Sequence, residues 1–306
     1  MKDIDVLVAG ELNPDLILSK ADLEPLFGQT EILMDTAKLT VGSSSAIFAC
    51  GCARLGLKTA FIGVVGDDIF GRFMIESLNE RGVDTSAVIV DPKQDTGLSV
   101  ILSRGNDRAI LTHLGAIDAL RAEDISEDLL KRSRHLHVAS YFLQTKLQPD
   151  LYNLFKHAYR SHATSSLDTN WDPHGEWSNV ARILKVTDIF FPNENEALAL
   201  TEAPELESAL TRMSEYVPIV AIKCGADGAI ARKGTERIEE KAIPNEVIDT
   251  VGAGDSFDAG FIYGHLQNWD LEKTLKFAVA CGSLSTRGHG GISAQATVDE
   301  ALEVIE

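Results

Sequence analysis

Short continuous apolar runs recur along the chain: "IDVLVAG" near the start, then "TAFIGVVG", "HLHVAS", "ATSSLD", "TDIFFP" and "PIVAIKCG". Each ends in a glycine or polar turn, and a stretch of helical period follows. Runs that stay apolar instead of alternating belong to strands buried on both faces, and strands separated by helices pair in parallel. The pattern predicts a doubly wound α/β fold. Ser43 or Ser44 is placed to cap a helix over "SAIFACGCARLG" that stops at Gly56, and Asp67 or Asp68 one over "IFGRFMIESLNERG" that stops at Gly82. Small residues at Ala46, Ala49, Gly51 and Ala53 make the first of these thin enough to approach the sheet closely.

Two segments break the rhythm. "QTEILMDTAKLT" (29–40) and "TGLSVILSRGNDRAILTHLGA" (96–116) read as strands with no helix between them, and "RGND" at 104–107 is a hairpin turn signal. They predict a small β-flap formed by about 12–41 and 95–117. No internal repeat, low-complexity tract or proline-rich linker divides the chain, so one domain over 1–306 is expected.

Composition narrows the partners. The 306 residues are 44% apolar and 24% charged, the balance of a soluble globular protein. With 46 acidic against 28 basic residues the formal net charge is −18, and no lysine- or arginine-rich run interrupts it. Such a surface repels a duplex or an anionic membrane, so neither nucleic acid nor membrane is expected as a partner. Cys50, Cys52, Cys224 and Cys281 have no zinc-like spacing with histidine and read as free thiols of a reducing cytosol. The start lacks a signal-peptide pattern and no segment reaches the ~18 apolar residues of a span, so a cytoplasmic protein is expected.

The chemistry concentrates in "DTVGAGDSFDAGF", Asp249 to Phe261, which runs into an apolar helix. Gly252 and Gly254 permit a tight turn and leave main-chain N–H groups bare, while the helix adds unpaired N–H groups and the positive end of its dipole. That is an anion site. Asp255 sits in the helix's first turn, where a capping aspartate is the bland alternative. There is no lysine as in a P-loop and no third glycine at the dinucleotide-binding spacing. A carboxylate beside a phosphate-binding turn suits a base that takes a proton from an attacking hydroxyl during phosphoryl transfer.

These thirteen residues match D-T-x-G-A-G-D-x-F at every defined position, and in this the chain resembles the PfkB family of carbohydrate kinases. The resemblance implies a ribokinase-like three-layer αβα sandwich with a mostly parallel central sheet and a small β-flap as lid. It implies Asp255 as catalytic base and the Gly252–Ala253–Gly254 backbone as the anion hole for the γ-phosphate. "GELNPDLIL" at 10–18 is similar to the family's sugar-binding strand exit, which places Asn13 and Asp15 on substrate hydroxyls; alone, Asn-Pro-Asp reads as a turn.

"GSSSAIFACGCARLG" at 42–56 is similar to the G-G-x-x-x-N signature and brings Gly42 and Ser43 to the substrate, with Ser140 as a further neighbour. It departs from the pattern at Ser43, for the second glycine, and at Ile47, for the sugar-contacting asparagine. "FPNENEAL" carries N-x-x-E, implying Asn193 on the nucleotide and Glu196 on Mg²⁺ through water, although a capping box satisfies the same spacing. "IKCGADGAI" resembles the nucleotide-binding turn, with Gly225 and Gly228 close to ATP and Lys223 within reach of phosphates. Asp249 and the tail 281–294 occupy the place of a monovalent-cation site, K⁺ in some members. Asp67 and Asp68 read as structural caps.

The resemblance thus implies ATP-dependent phosphorylation of a sugar-like hydroxyl, with ATP and Mg²⁺ as cofactors. A kinase for a nucleoside or sugar phosphate is an alternative, for which Lys38, Arg104 and Arg108 on the flap offer donors. A non-catalytic sugar- or nucleotide-binding regulator is another. The flap's open edge and apolar face lead to the expectation of a homodimer formed through it.

Overall fold

The computed structural model describes residues 2–104 and 107–306. Strands β1 (Ile4–Ala9), β4 (Thr59–Ile62), β9 (Ser133–Val138), β10 (Thr164–Leu167), β11 (Ile189–Phe190) and β12 (Ile219–Lys223) coincide with the six apolar runs. They pair in parallel, and β13 (Ala229–Lys233) and β14 (Glu236–Glu240) add an antiparallel edge. The eight-stranded order is β14-β13-β12-β11-β10-β9-β1-β4.

Alternation along β1 sorts the layers. Val6 and Val8 join one core with α1 (Ser44–Arg54), α2 (Ile69–Glu80), α8 (Ala253–Leu266), α9 (Leu271–Ser285) and α10 (Val298–Glu303). Leu7 and Ala9 join the other, with α3 (Glu127–Arg132), α4 (Gln148–Arg160), α5 (Val180–Leu184), α6 (Glu194–Thr201) and α7 (Leu206–Ser214). This is the three-layer αβα sandwich. Ser43 caps α1, its hydroxyl accepting from Ala46 N, and Asp68 caps α2 by accepting from Gly71 N. Gly56 and Gly82 close the two helices with φ of 81° and 82°. The four cysteines are free, and among the described residues no helix is long and apolar enough to cross a membrane.

A separate four-stranded sheet has the order β3-β2-β7-β8, from β2 (Pro14–Ser19), β3 (Thr36–Val41), β7 (Leu98–Arg104) and β8 (Asp107–His113). Three local readings change. Of 29–40 only Thr36–Val41 is a strand, and the preceding stretch is irregular. Asn-Pro-Asp opens a strand instead of closing a turn, because a proline at a strand's first residue gives up no ladder bond it needs. "TAFIGVVG" splits at Gly63, where a Cβ would lie 2.5 Å from Gly10 O, and β5 (Val64–Val65) pairs with β6 (Ile89–Val90) instead. Arg104 pairs with Asp107, while the two central residues of "RGND" lie outside the described residues.

Register fixes what the second sheet presents. Asp15 pairs with Thr40 and Ser99, and Ser99 with Thr112, so these side chains form one row on one face. The hydroxyls of Ser99 and Thr112 meet at 3.1 Å.

Candidate active site

The central strands deliver polar residues at their carboxyl ends, where open α/β sheets bind ligands. Glu11 follows β1, Ser140 follows β9, Asp168 follows β10, Asn193 follows β11 and Lys223 ends β12. The start of α8 faces them.

Gly252 is the N-cap of α8, with φ 72° and ψ 7°. A Cβ there would meet Gly291 Cα at 2.7 Å and Ile47 Cγ2 at 2.8 Å, so the turn accepts only glycine. Ala253 N bonds back to Thr250 O at 3.3 Å. Among the described residues the N–H groups of Gly254 and Asp255 have no hydrogen-bond acceptor, which leaves them open as anion donors. A Cβ on Gly254 would stand 3.5 Å from Lys223 Nζ, so an ammonium lies beside those donors.

Lys223 is fixed there by carboxylates. Its Nζ is 2.6 Å from Asp168 Oδ2 and 3.3 Å from Asp258 Oδ2. Burial opposes its charge, but Asp168, Asp258 and Glu196 hold its pKa above the ordinary lysine value. Burial alone would push Asp168 up, yet Lys223 keeps it below the usual carboxylate range. Asp258 goes the other way, pushed well up by burial with Asp168 adding to the effect. Asp168, Asp255 and Asp258 each bring a carboxylate oxygen within 4.8 Å of the others.

Asp255 is buried, 8% exposed. Its pKa is pushed up to about 8, chiefly by burial and then by Asp168, against the pull of Lys223 and a hydrogen bond from the Ser44 hydroxyl. Ser44 in turn accepts from Asn170 Nδ2 at 2.9 Å, and Asn170 Oδ1 takes Ser140 N at 2.9 Å. Ser140 Oγ donates to Glu11 Oε1 at 2.8 Å, and Glu11 also takes Ser45 N at 3.2 Å. Hydrogen bonds therefore run from Glu11 through Ser140 and Asn170 to Ser44, at the edge of the Asp255 site.

On the substrate side, Asp15 faces Gly42 so closely that a Cβ there would collide with its carboxylate. Burial pushes Asp15 up to about 7, with Arg108 pulling it down and Glu11 pushing it further up. Asn13 is buried beside it, its amide turned to Pro14 O at 3.4 Å. The Ser43 hydroxyl is engaged by protein on both sides, donating to Glu11 O at 2.6 Å and accepting from Ala46 N at 3.1 Å. Ile47 is buried and fills the space between Gly252 and Gly291, so the position of the usual asparagine packs the turn.

On the other side, Lys223, Gly225, Gly228, Asn245, Gly254 and Phe257 line a mostly apolar cavity of 430 Å³. Gly225 and Gly228 have φ of 56° and 98°, and a Cβ on Gly228 would collide with Glu240 O. Asn193 and Glu196 form a reciprocal capping box at the start of α6, with Asn193 N on Glu196 Oε2 at 2.9 Å and Glu196 N on Asn193 Oδ1 at 2.9 Å. Burial pushes Glu196 up to about 7, with Asp168 adding to the effect. Asp249 accepts from Val251 N at 3.0 Å and from Gly290 N at 2.8 Å, tying the glycine turn to the tail.

A family model described as pfkB family carbohydrate kinase matches residues 3–297. The chain belongs to that family. Membership makes it an ATP-dependent carbohydrate kinase. It is 34% identical to an uncharacterized sugar kinase of Archaeoglobus fulgidus, over 73% of this chain and 89% of that one. It is 30% identical to an ATP-dependent ribose-1-phosphate kinase of Halopiger xanaduensis, over 97% and 96%. A solved Escherichia coli structure described as Ribokinase II in complex with ATP and Mg²⁺ superposes with a TM-score of 0.86 at 26% identity, covering 99% of both chains.

The structure thus gathers Asn13, Asp15, Gly42, Ser140 and Asp255 on one side of the glycine turn, and Lys223, Gly225 and Gly228 on the other. Asn193 and Glu196 stand at the strand edge with their side chains turned to each other. Glu11, Ser44, Asp168, Asn170 and Asp258 were not assigned to the site from the sequence. Asp258 had a readable signal, an acid three residues after Asp255 on an otherwise apolar helix, and Asp168 stands directly after an apolar run. Glu11 and Ser44 carried none.

Proposed function

We propose that the protein transfers the γ-phosphate of ATP to a hydroxyl of a sugar-like acceptor, with Asp255 as the base. The observation that carries this reading is the placement of Asp255 beside bare N–H groups and a fixed ammonium. Asp15 and Asn13 would hold the acceptor's hydroxyls, with Gly42 leaving room for Asp15 and Ser140 bordering the pocket. The Asp255 carboxylate would take the hydroxyl proton as the oxygen attacks. The N–H groups of Gly254 and Asp255, at the turn made by Gly252 and Ala253, would receive the charge that builds on the transferring group. Lys223 would add to that field without changing its own protonation.

The cavity bounded by Gly225 and Gly228 has the size and apolar walls that suit a nucleotide base and ribose. Glu196 with Asn193 would hold Mg²⁺ through water, and the ion would supply positive charge on the polyphosphate. The carboxylate of Asp249 and carbonyls of the tail would offer oxygen ligands to K⁺. The flap's outer face leaves Leu39 38% and Leu111 59% exposed, and a second copy covering it would form a homodimer.

A panel of sugars with ATP and Mg²⁺ in a coupled ADP assay tests the reading. ADP release that depends on one class of acceptor is the expected result. Acceptor binding without ADP release would make the protein a non-catalytic regulator.

A further inference from the structure

We propose that the acceptor is an anionic sugar, a sugar phosphate or sugar acid, whose charged group is held by Arg108 on the inner face of the flap, with Lys38 adding positive field from the opposite edge of that face. This rests on the kinase reading above and deepens it.

The register decides which face each cation occupies. Beyond the row of Asp15, Thr40, Ser99 and Thr112, the next row on the same face is Lys38, Ile17, Ile101 and Ile110. In the row after that, Ser19 pairs with Ser103 and Ser103 with Arg108. Side chains two residues apart on a strand share a face, so Lys38 and Arg108 stand on the side that carries Asp15 to Gly42. Arg104 falls on the opposite face and is accounted for by Glu24 at 3.7 Å and Asp107 at 3.4 Å.

Neither inward cation has a carboxylate partner among the described residues. In a chain with 46 acids against 28 bases, two such cations on one face call for a reason. Lys38 Nζ donates to His289 O at 3.0 Å and lies 3.7 Å from where Gly290 would carry a Cβ, next to the tail that packs on Gly252. Arg108 exerts its field on Asp15 from the far corner. An isoleucine row lies between, so one surface offers an apolar floor for a sugar ring, a carboxylate for hydroxyls and cations at its margins. Ile47, packed between Gly252 and Gly291, brings no hydrogen-bonding group to that end of the site. A guanidinium with free donors is suited to a phosphate or carboxylate in bidentate geometry.

The test uses the full chain and acceptor pairs that differ by one anionic group: ribose against ribose-1-phosphate and ribose-5-phosphate, and glucose against gluconate. We expect at least one anionic member to exceed its neutral partner in kcat/KM by about tenfold or more, with the advantage shrinking as salt is raised. The phosphate and carboxylate arms distinguish the two sources of charge. Arg108→Gln and Lys38→Gln should each lower the anionic-to-neutral ratio, by about tenfold for Arg108, mainly through KM. Preference for the neutral members, or a ratio untouched by Arg108→Gln, would overturn the inference and leave the kinase reading standing. No ADP release and no calorimetric binding with any acceptor would overturn both.

Discussion

The ammonium of Lys223 stands 2.6 Å from the carboxylate of Asp168, across β11, although the two residues are 55 positions apart. The contact joins two strand ends to the start of α8 through Asp258. Removing the cation would leave the buried Asp168 carboxylate without its counter-ion. Lys223→Met should therefore cost about 3–5 kcal/mol in urea unfolding at pH 7. A loss under about 1 kcal/mol would mean that the pair is offset by its own desolvation. The sign with pH follows from Asp168, whose folded pKa lies below its unfolded value. Its stabilisation is present above the unfolded value of about 4 and is lost as pH falls through the lowered one.

Asp255 has the opposite linkage. Its folded pKa of about 8 lies above the unfolded value, so its contribution is present at low pH and is lost as pH rises through about 8. Asp255→Asn should consequently be more stable than the parent protein at pH 9, by on the order of 5 kcal/mol in denaturant unfolding. The same titration governs catalysis, since only the carboxylate can accept a proton. We expect kcat/KM to rise with pH and level off above about 8; a flat profile between pH 6 and 9 would remove this group from the rate.

Gly252→Ala tests the turn itself. The new methyl would need φ near 72° and would press on Gly291 and Ile47. A cost of about 1–3 kcal/mol is expected in thermal unfolding, with a fall in kcat larger than any rise in the KM for ATP. An alanine variant of full activity and stability would show that the turn tolerates another shape.

The layers were legible because parallel strands buried on both faces are mostly apolar, as β1 is apart from Asp5 and β12 apart from its last residue, Lys223. Caps at Ser43 and Asp68 and stops at Gly56 and Gly82 were legible for the same local reason. The glycine turn and Asp255 could be read because one short segment holds them all. The relay from Glu11 through Ser140, Asn170 and Ser44 could not, since it is assembled from four strand and helix ends that only the folded sheet brings together. Lys223 was read as reaching phosphate; its pairing with Asp168 and Asp258 depends on burial that the local sequence "IKCG" does not advertise. The strand at Pro14–Ser19 was obscured because Asn-Pro-Asp carries equally good turn chemistry.

Glu196 separates a cap from a metal-bearing role. Glu196→Gln keeps an acceptor for Asn193 N but gives up a charge, so the expected result is a several-fold rise in the Mg²⁺ concentration needed for half-maximal rate, with unfolding shifted by about 1 kcal/mol or less. Unchanged Mg²⁺ dependence would leave Glu196 as a capping residue only.

The most direct measurement is single-turnover phosphorylation of the preferred acceptor by Asp255→Asn, alongside ATP binding by the same protein. The carboxamide keeps the shape of the side chain and cannot accept the proton, so the rate should fall by a factor of about 10²–10⁴ while ATP affinity stays within a few-fold. A variant that binds ATP and transfers phosphate at the parent rate would contradict the account.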